Sequence, residues 1–159
     1  MNLTEKEVAK YQKNIAKLIA NRIDNDNINQ KNKNENKLDS NSIKIIMKPD
    51  EKEKLWKFGI SGDYPIIIVK IRDYNDSYLI NEAYKMYSYY KAKNIYTEMC
   101  IITDKVDITL SSEMQKNLNK RKGIFIVKNP KKEDKNIIEK EASITISTLT
   151  FLTQNENYN

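Results

Sequence analysis

With 159 residues, 39% of them apolar and 31% charged, the chain has room for one domain of ordinary size and for some length outside its core. The net charge of +6 is carried almost entirely by lysine scattered among Asp and Glu, with Arg22, Arg72 and Arg121 the arginines, so the charge outlines no stripe for nucleic acid. With no histidine and the single cysteine Cys100, an intrachain disulfide and a histidine general base are excluded, and carboxylates are left as the main metal ligands.

Thr4 and Glu7 stand at capping-box spacing, which predicts a helix entering just after them. Val8, Tyr11, Ile15, Leu18, Ile19 and Ile23 follow at steps of three and four, so residues 1–23 read as an amphipathic helix whose stripe must pack on the rest of the chain or on a partner. The opening "MNLTEKEVAKYQKN" has no apolar core of signal-peptide length, and no run reaches the roughly 18 apolar residues of a bilayer span; the expectation is a soluble, cytoplasmic chain without a membrane span. Residues 24–42, "DNDNINQKNKNENKLDSNS", hold too few apolar groups to offset their ordering entropy and read as a flexible low-complexity linker.

The remainder, 43–152, carries the fold, with 153–159 a polar tail. Pro49, followed by Asp50, Glu51 and Glu53, starts a short helix that runs to about Lys57 and closes at Gly59. Pro65 then leads into "IIIVKI", a continuous β-branched run suited to a strand covered on both faces. Asp73 to Asp76 supply turn and cap residues, and Leu79, Ala83, Met86, Tyr87 and Tyr90 mark a helix to about Lys93, on which Tyr89 points away from the core stripe. "EMCIIT" from Glu98 is a second strand, with Cys100 a buried small hydrophobe. A helix over Ser111 to Lys120, capped by Ser111 or Ser112 and terminated by Gly123, precedes the strand "IFIV". "KKEDKNIIEKEA" after Pro130 gives another helix, and "SITISTLTFL" a last strand. This alternation predicts an α/β fold: a small parallel sheet of three to four strands with flanking helices.

Two of the chain's three glycines, Gly59 and Gly62, fall together in "LWKFGISGDYPIIIVKI". The segment approaches the G-x-S-x-G elbow of serine hydrolases, but Asp63 stands where the second glycine belongs. The turn also opens a strand rather than a helix, and no histidine exists to act as base. No glycine loop follows Ile71 to cradle a phosphate. Asp73, Asp104 and Asp107 lie after strands, where open α/β sheets bind ligands, although capping is the commoner use of such residues. Tyr78, Tyr84, Tyr87, Tyr89 and Tyr90 on one helix, with Trp56 and Tyr64 beside the glycine turn, serve either core packing or stacking on a carbohydrate or protein.

The same segment resembles the "LWxxGISGDxPIxxxxI" signature of cyclic β-1,2-glucan synthases and related proteins of glycoside hydrolase family 94. "INEAYKMYSYYKAKNIYTEMCII" and "KGIFIVKNPKKEDKNIIEKEASITI" resemble the helices and strands that follow it there, and "LTEKEVAKYQKNIAKLI" the helix that precedes it. In those proteins the region connects carbohydrate-binding β-sandwich domains to a helical catalytic barrel. The resemblance therefore implies no catalytic residue and no cofactor or metal in this chain. It implies a structural or interface role for Trp56, Gly59, Ile60, Ser61, Gly62, Asp63 and Pro65, partners among other carbohydrate-active domains or subunits, and contact with β-glucan. The expectation is a non-catalytic module or fragment of such a protein. The alternatives are a subunit of a split glycosyltransferase or glycoside phosphorylase and, from the charge alone, a basic nucleic-acid-binding domain.

Overall fold

The structure, a computed structural model, describes residues 2–15 and 49–147. The expected linker over 24–42, the tail over 153–159, the outer half of the first helix with Leu18, Ile19 and Ile23, and the end of the last strand beyond 147 lie outside the described residues.

Residues 5–15 form helix α1, opened by the capping box: the Thr4 amide donates to Glu7 Oε2 (2.8 Å) and the Glu7 amide to Thr4 Oγ1 (3.2 Å). The chain continues as α2 (Pro49–Trp56), β1 (Ile66–Ile71), a 3-10 turn (Tyr74–Asp76), α3 (Tyr78–Ala92), β2 (Glu98–Thr103), α4 (Ser112–Gln115), β3 (Ile124–Lys128), α5 (Lys132–Lys140) and β4 (Ala142–Ile146). The four strands form one sheet in the order β3-β2-β1-β4, every pair parallel, with a register shift between Ile66 and Ile67 on the β4 side.

Side chains alternate across a strand, so each apolar run supplies both faces of the sheet. Ile67, Val69, Ile71, Met99 and Ile101 face α1, α3 and α4 in one core. Ile66, Ile68, Cys100, Ile102, Phe125 and Val127 face the opposite core, closed by Leu55 of α2, Ile60 and Ile138 of α5. Two helical layers thus enclose the sheet, the arrangement expected for its parallel strands.

The stripe of α1 finds its partner within this chain. Tyr11 is buried against α3, its ring 5.4 Å from Tyr89 and 6.3 Å from Tyr90, and its carbonyl accepts from the Tyr90 hydroxyl at 3.2 Å. Tyr89, which the stripe of α3 leaves out, is therefore buried through α1. At the rim Lys85 Nζ pairs with Glu7 Oε1 at 3.1 Å.

The region before β3 departs from expectation. Helix α4 is a single turn, capped by Ser111, whose hydroxyl accepts from the Met114 amide at 3.2 Å, and it stops at Gln115 instead of Lys120. Asn119 (φ 57°) and Lys122 (φ 60°) bend the chain back, and the carbonyl of Asn117 accepts from the Ile124 amide at 2.9 Å. Gly123 consequently terminates no helix. It is needed because a side chain there would collide with the carbonyls of Asn117 and Lys120. Among the described residues no helix is long and apolar enough to cross a membrane.

Candidate functional site

Residues 57–65 fold as the corner between α2 and β1. After Trp56 the amide of Phe58 donates to the Leu55 carbonyl (3.0 Å) and that of Gly59 to the Trp56 carbonyl (2.9 Å), closing the helix with Gly59 at φ 83°. Ile60 drops into the second core, Gly62 at φ 77° reverses the chain, and Pro65 opens β1. The corner is fastened by its own side chains. Trp56 Nε1 donates to the Ser61 carbonyl (3.2 Å), Ser61 Oγ accepts from the Asp63 amide (3.2 Å), and Asp63 pairs with Arg121 Nη2 (3.1 Å).

The centre of the arrangement is Glu98, the first residue of β2 and 1% exposed. One carboxylate oxygen accepts from Ser61 Oγ at 2.6 Å, and the other from the Lys122 amide at 3.3 Å. The Glu98 amide donates to the Pro65 carbonyl at 2.9 Å, the first rung joining β1 and β2. Burial pushes the carboxyl above the ordinary glutamate value, hydrogen bonds from the Ser61 hydroxyl and from the backbone of Lys122 and Ser61 oppose the rise, and the Asp63 charge adds to it. Around this group the Tyr87 hydroxyl donates to the Lys122 carbonyl, and burial raises that phenol to about 12. Lys122 Nζ lies 4.2 Å from the Tyr96 ring centre and 5.4 Å from that of Tyr64, while Arg121 also covers Tyr64 at 5.4 Å.

Thus α2–β1, the start of β2 and the turn before β3 meet at one buried carboxylate. Periodicity marks Glu98 only as the edge of an apolar run; its partner Ser61 is 37 residues away, and no local signal connects them. All of this lies at the amino ends of the strands, whereas open parallel sheets bind ligands at the carboxyl ends. The Ser61 hydroxyl donates to Glu98, which ties the turn after α2 to the head of β2.

The other singled-out residues separate. Asp73 caps the 3-10 turn, accepting from the Asn75 amide at 2.8 Å; Asp104 faces Lys135 at 3.9 Å and Asp107 faces Lys128 at 3.4 Å. Among the described residues no group of three or more His, Cys, Asp or Glu is placed to hold a metal ion. Tyr87, Tyr89 and Tyr90 are buried and Tyr84 stacks on Tyr87 at 5.8 Å, so on α3 Tyr78 is the tyrosine left exposed. Cys100 is fully buried, which pushes its thiol up to about 12.

Glu98 makes stability depend on pH in a predictable sense. A carboxyl whose folded value is raised stabilises the fold while protonated, and that contribution is lost as pH rises from the unfolded value of 4.5 through the folded one. Wild type therefore loses stability over this interval relative to Glu98→Gln, which cannot ionise. Glu7 works in the opposite sense and below 4.5, because the Thr4 amide, followed by Lys85, holds it down. Urea midpoints of both proteins from about pH 4 to about pH 8 check this, and parallel curves throughout would contradict it.

In comparisons with known proteins, no family model, no curated protein and no solved structure matches this chain.

Proposed function

We propose that the chain is a non-catalytic α/β module of a cyclic β-1,2-glucan synthase-like carbohydrate-active protein, with a scaffolding or domain-packing role. The observation that carries this reading is the corner itself: Ser61 and Asp63 join it to Glu98 and Arg121 at the amino end of the sheet, away from the carboxyl end where open parallel sheets bind ligands. Trp56 adds a surface for packing, since its ring is 57% exposed while its indole N–H is held by the Ser61 carbonyl. Aromatic rings held rigid in this way are favoured anchors in interfaces. The distribution of cations favours this reading over a nucleic-acid one. Lys57, Lys70, Lys85, Lys128, Lys135 and Arg121 each face a carboxylate, so they form no open phosphate-binding stripe.

Purified chain incubated with β-1,2-glucan and inorganic phosphate is expected to consume no phosphate, and the Trp56→Ala variant to lose about 1 kcal/mol, the worth of the indole hydrogen bond to the Ser61 carbonyl, since the ring itself is largely solvated. Sustained phosphorolysis by the chain alone would overturn the proposal.

A further inference from the structure

The two ends of the sheet differ in charge. The segments 57–65, 93–97 and 116–123, which enter β1, β2 and β3 at their amino ends, carry Lys57, Lys93, Lys116, Lys120, Arg121 and Lys122 against one carboxylate, Asp63. The segments 72–77, 104–111 and 129–131, which leave those strands at their carboxyl ends, carry Arg72, Lys105 and Lys131 against Asp73, Asp76, Asp104 and Asp107. Along the chain these charges are interspersed and show no stripe. The parallel sheet sorts them, because every strand is entered on one side and left on the other.

Most of the cations at the amino end are not neutralised. Lys57 pairs with Asp134 and Arg121 with Asp63, but Lys93, Lys116, Lys120 and Lys122 face no carboxylate among the described residues. Lys91, exposed in the last turn of α3, adds to them. Glu98 nearby is buried and already held by Ser61 and the Lys122 amide. The three segments form one surface: Lys122 lies over both Tyr96 and Tyr64, and Arg121 over Tyr64. The same end presents Trp56, whose indole N–H is satisfied by the Ser61 carbonyl, so its exposed ring can enter a less polar layer without stranding a donor.

The residue types select among anionic partners. Single-stranded nucleic acid needs successive ring faces for its bases, whereas Tyr64 is 5% exposed and Lys122 covers Tyr96, which leaves Trp56 alone. Lysine is depleted where proteins dock on one another, and Arg121, the one guanidinium here, is engaged by Asp63. Lysines suit a fluid layer of headgroups instead, because a point charge on a flexible stem needs no fixed partner geometry. An exposed indole beside a group of lysines is the pairing that holds a protein at an anionic bilayer surface, the ring at headgroup depth and the cations over the lipid charges. We propose that the amino end of the sheet docks on an anionic lipid surface, with Lys93, Lys116, Lys120 and Lys122 facing the headgroups and Trp56 in the interfacial layer. The proposal rests on where the charges and Trp56 stand and not on the relation to glucan synthases, so the phosphate-consumption assay is independent of its test.

The test titrates the full chain with vesicles of mixed phosphatidylglycerol and phosphatidylcholine, with vesicles of phosphatidylcholine alone, and with single-stranded DNA and poly-L-glutamate as other polyanions. Trp56 is the chain's one tryptophan, so its emission reports the contact directly. The anionic vesicles are expected to shift that emission to the blue, to quench it when their acyl chains are brominated, and to carry the chain down on sedimentation; the zwitterionic vesicles should do none of these. Lys93→Gln, Lys116→Gln and Lys120→Gln together should weaken binding about a hundredfold, the worth of three cations beside an anionic leaflet. Lys6→Gln, Lys131→Gln and Lys132→Gln together remove the same charge from other exposed positions and should weaken it less than about threefold, since salt confines the attraction to nearby charges. An unmoved Trp56 emission with anionic vesicles, equal binding to zwitterionic ones, equal losses in the two triple variants, or tighter binding of DNA or polyglutamate would each overturn the proposal.

Discussion

Replacing Gly123 by alanine is expected to lower the stability of the chain by about 3 kcal/mol or more, the upper range for overpacking. A Cβ at this position would stand 2.2 Å from the Asn117 carbonyl oxygen and 2.6 Å from that of Lys120. Both are backbone atoms, so no rotamer change relieves the contact. The Asn117 carbonyl is also the acceptor for the Ile124 amide at 2.9 Å, and the Gly123 carbonyl accepts from the Met99 amide at 3.0 Å. Moving the turn aside therefore breaks the bonds that deliver the chain into β3. Because Lys122 in the same turn donates its amide to Glu98, the strain should reach the corner as well. A urea transition shifted to lower midpoint with an unchanged slope is the expected reading. A loss below about 1 kcal/mol would mean that the turn is not packed as described.

This turn also marks where the sequence stops being legible. The strands β1 and β2 and helix α3 follow from patterns that are complete within a short window. "IIIVKI" after a proline, "EMCIIT" between polar segments, and five apolar residues at helical spacing each carry their own signal. The capping box at Thr4 and Glu7 is equally local, and both of its hydrogen bonds are present. Helix α4 is different. The stretch from Ser111 to Lys120 has an acceptable helical pattern, yet tertiary contacts stop it after one turn, because the chain must leave its axis to bring Ile124 beside Met99. The same holds for Glu98 and Tyr89. A carboxylate at the head of a strand becomes the centre of the corner only through Ser61 and Lys122, and a tyrosine off the helical stripe becomes core only through Tyr11. Sequence spacing identifies the pieces of the corner as turn and cap residues, which they are. It cannot show that they converge, since each partner lies in a different segment.

Phe125→Ala should cost about 3–5 kcal/mol, the usual range for emptying a buried phenylalanine site. Phe125 is 2% exposed and shares a core with Leu55, Ile60, Cys100, Ile102 and Ile138, so its loss opens a cavity in the layer between the sheet and helices α2 and α5. Its ring also lies directly under the corner: a Cβ on Gly59 would meet Phe125 Cε1 at 3.2 Å and Cδ1 at 3.3 Å. Gly59→Ala therefore carries two separate penalties. The left-handed backbone at φ 83° costs about 1–2 kcal/mol in any background. The contact with the ring adds to it only while the ring is present. In a Phe125→Ala background the second penalty disappears and the first remains, so the double variant should be more stable than the sum of the single changes predicts by about 0.5–1 kcal/mol. Strict additivity would show that Gly59 is required for its backbone conformation alone. Coupling of the expected sign would establish that β3, the strand at the far edge from β4, holds the corner in place through the core, as the turn before it does through the Arg121 ion pair and the Lys122 amide.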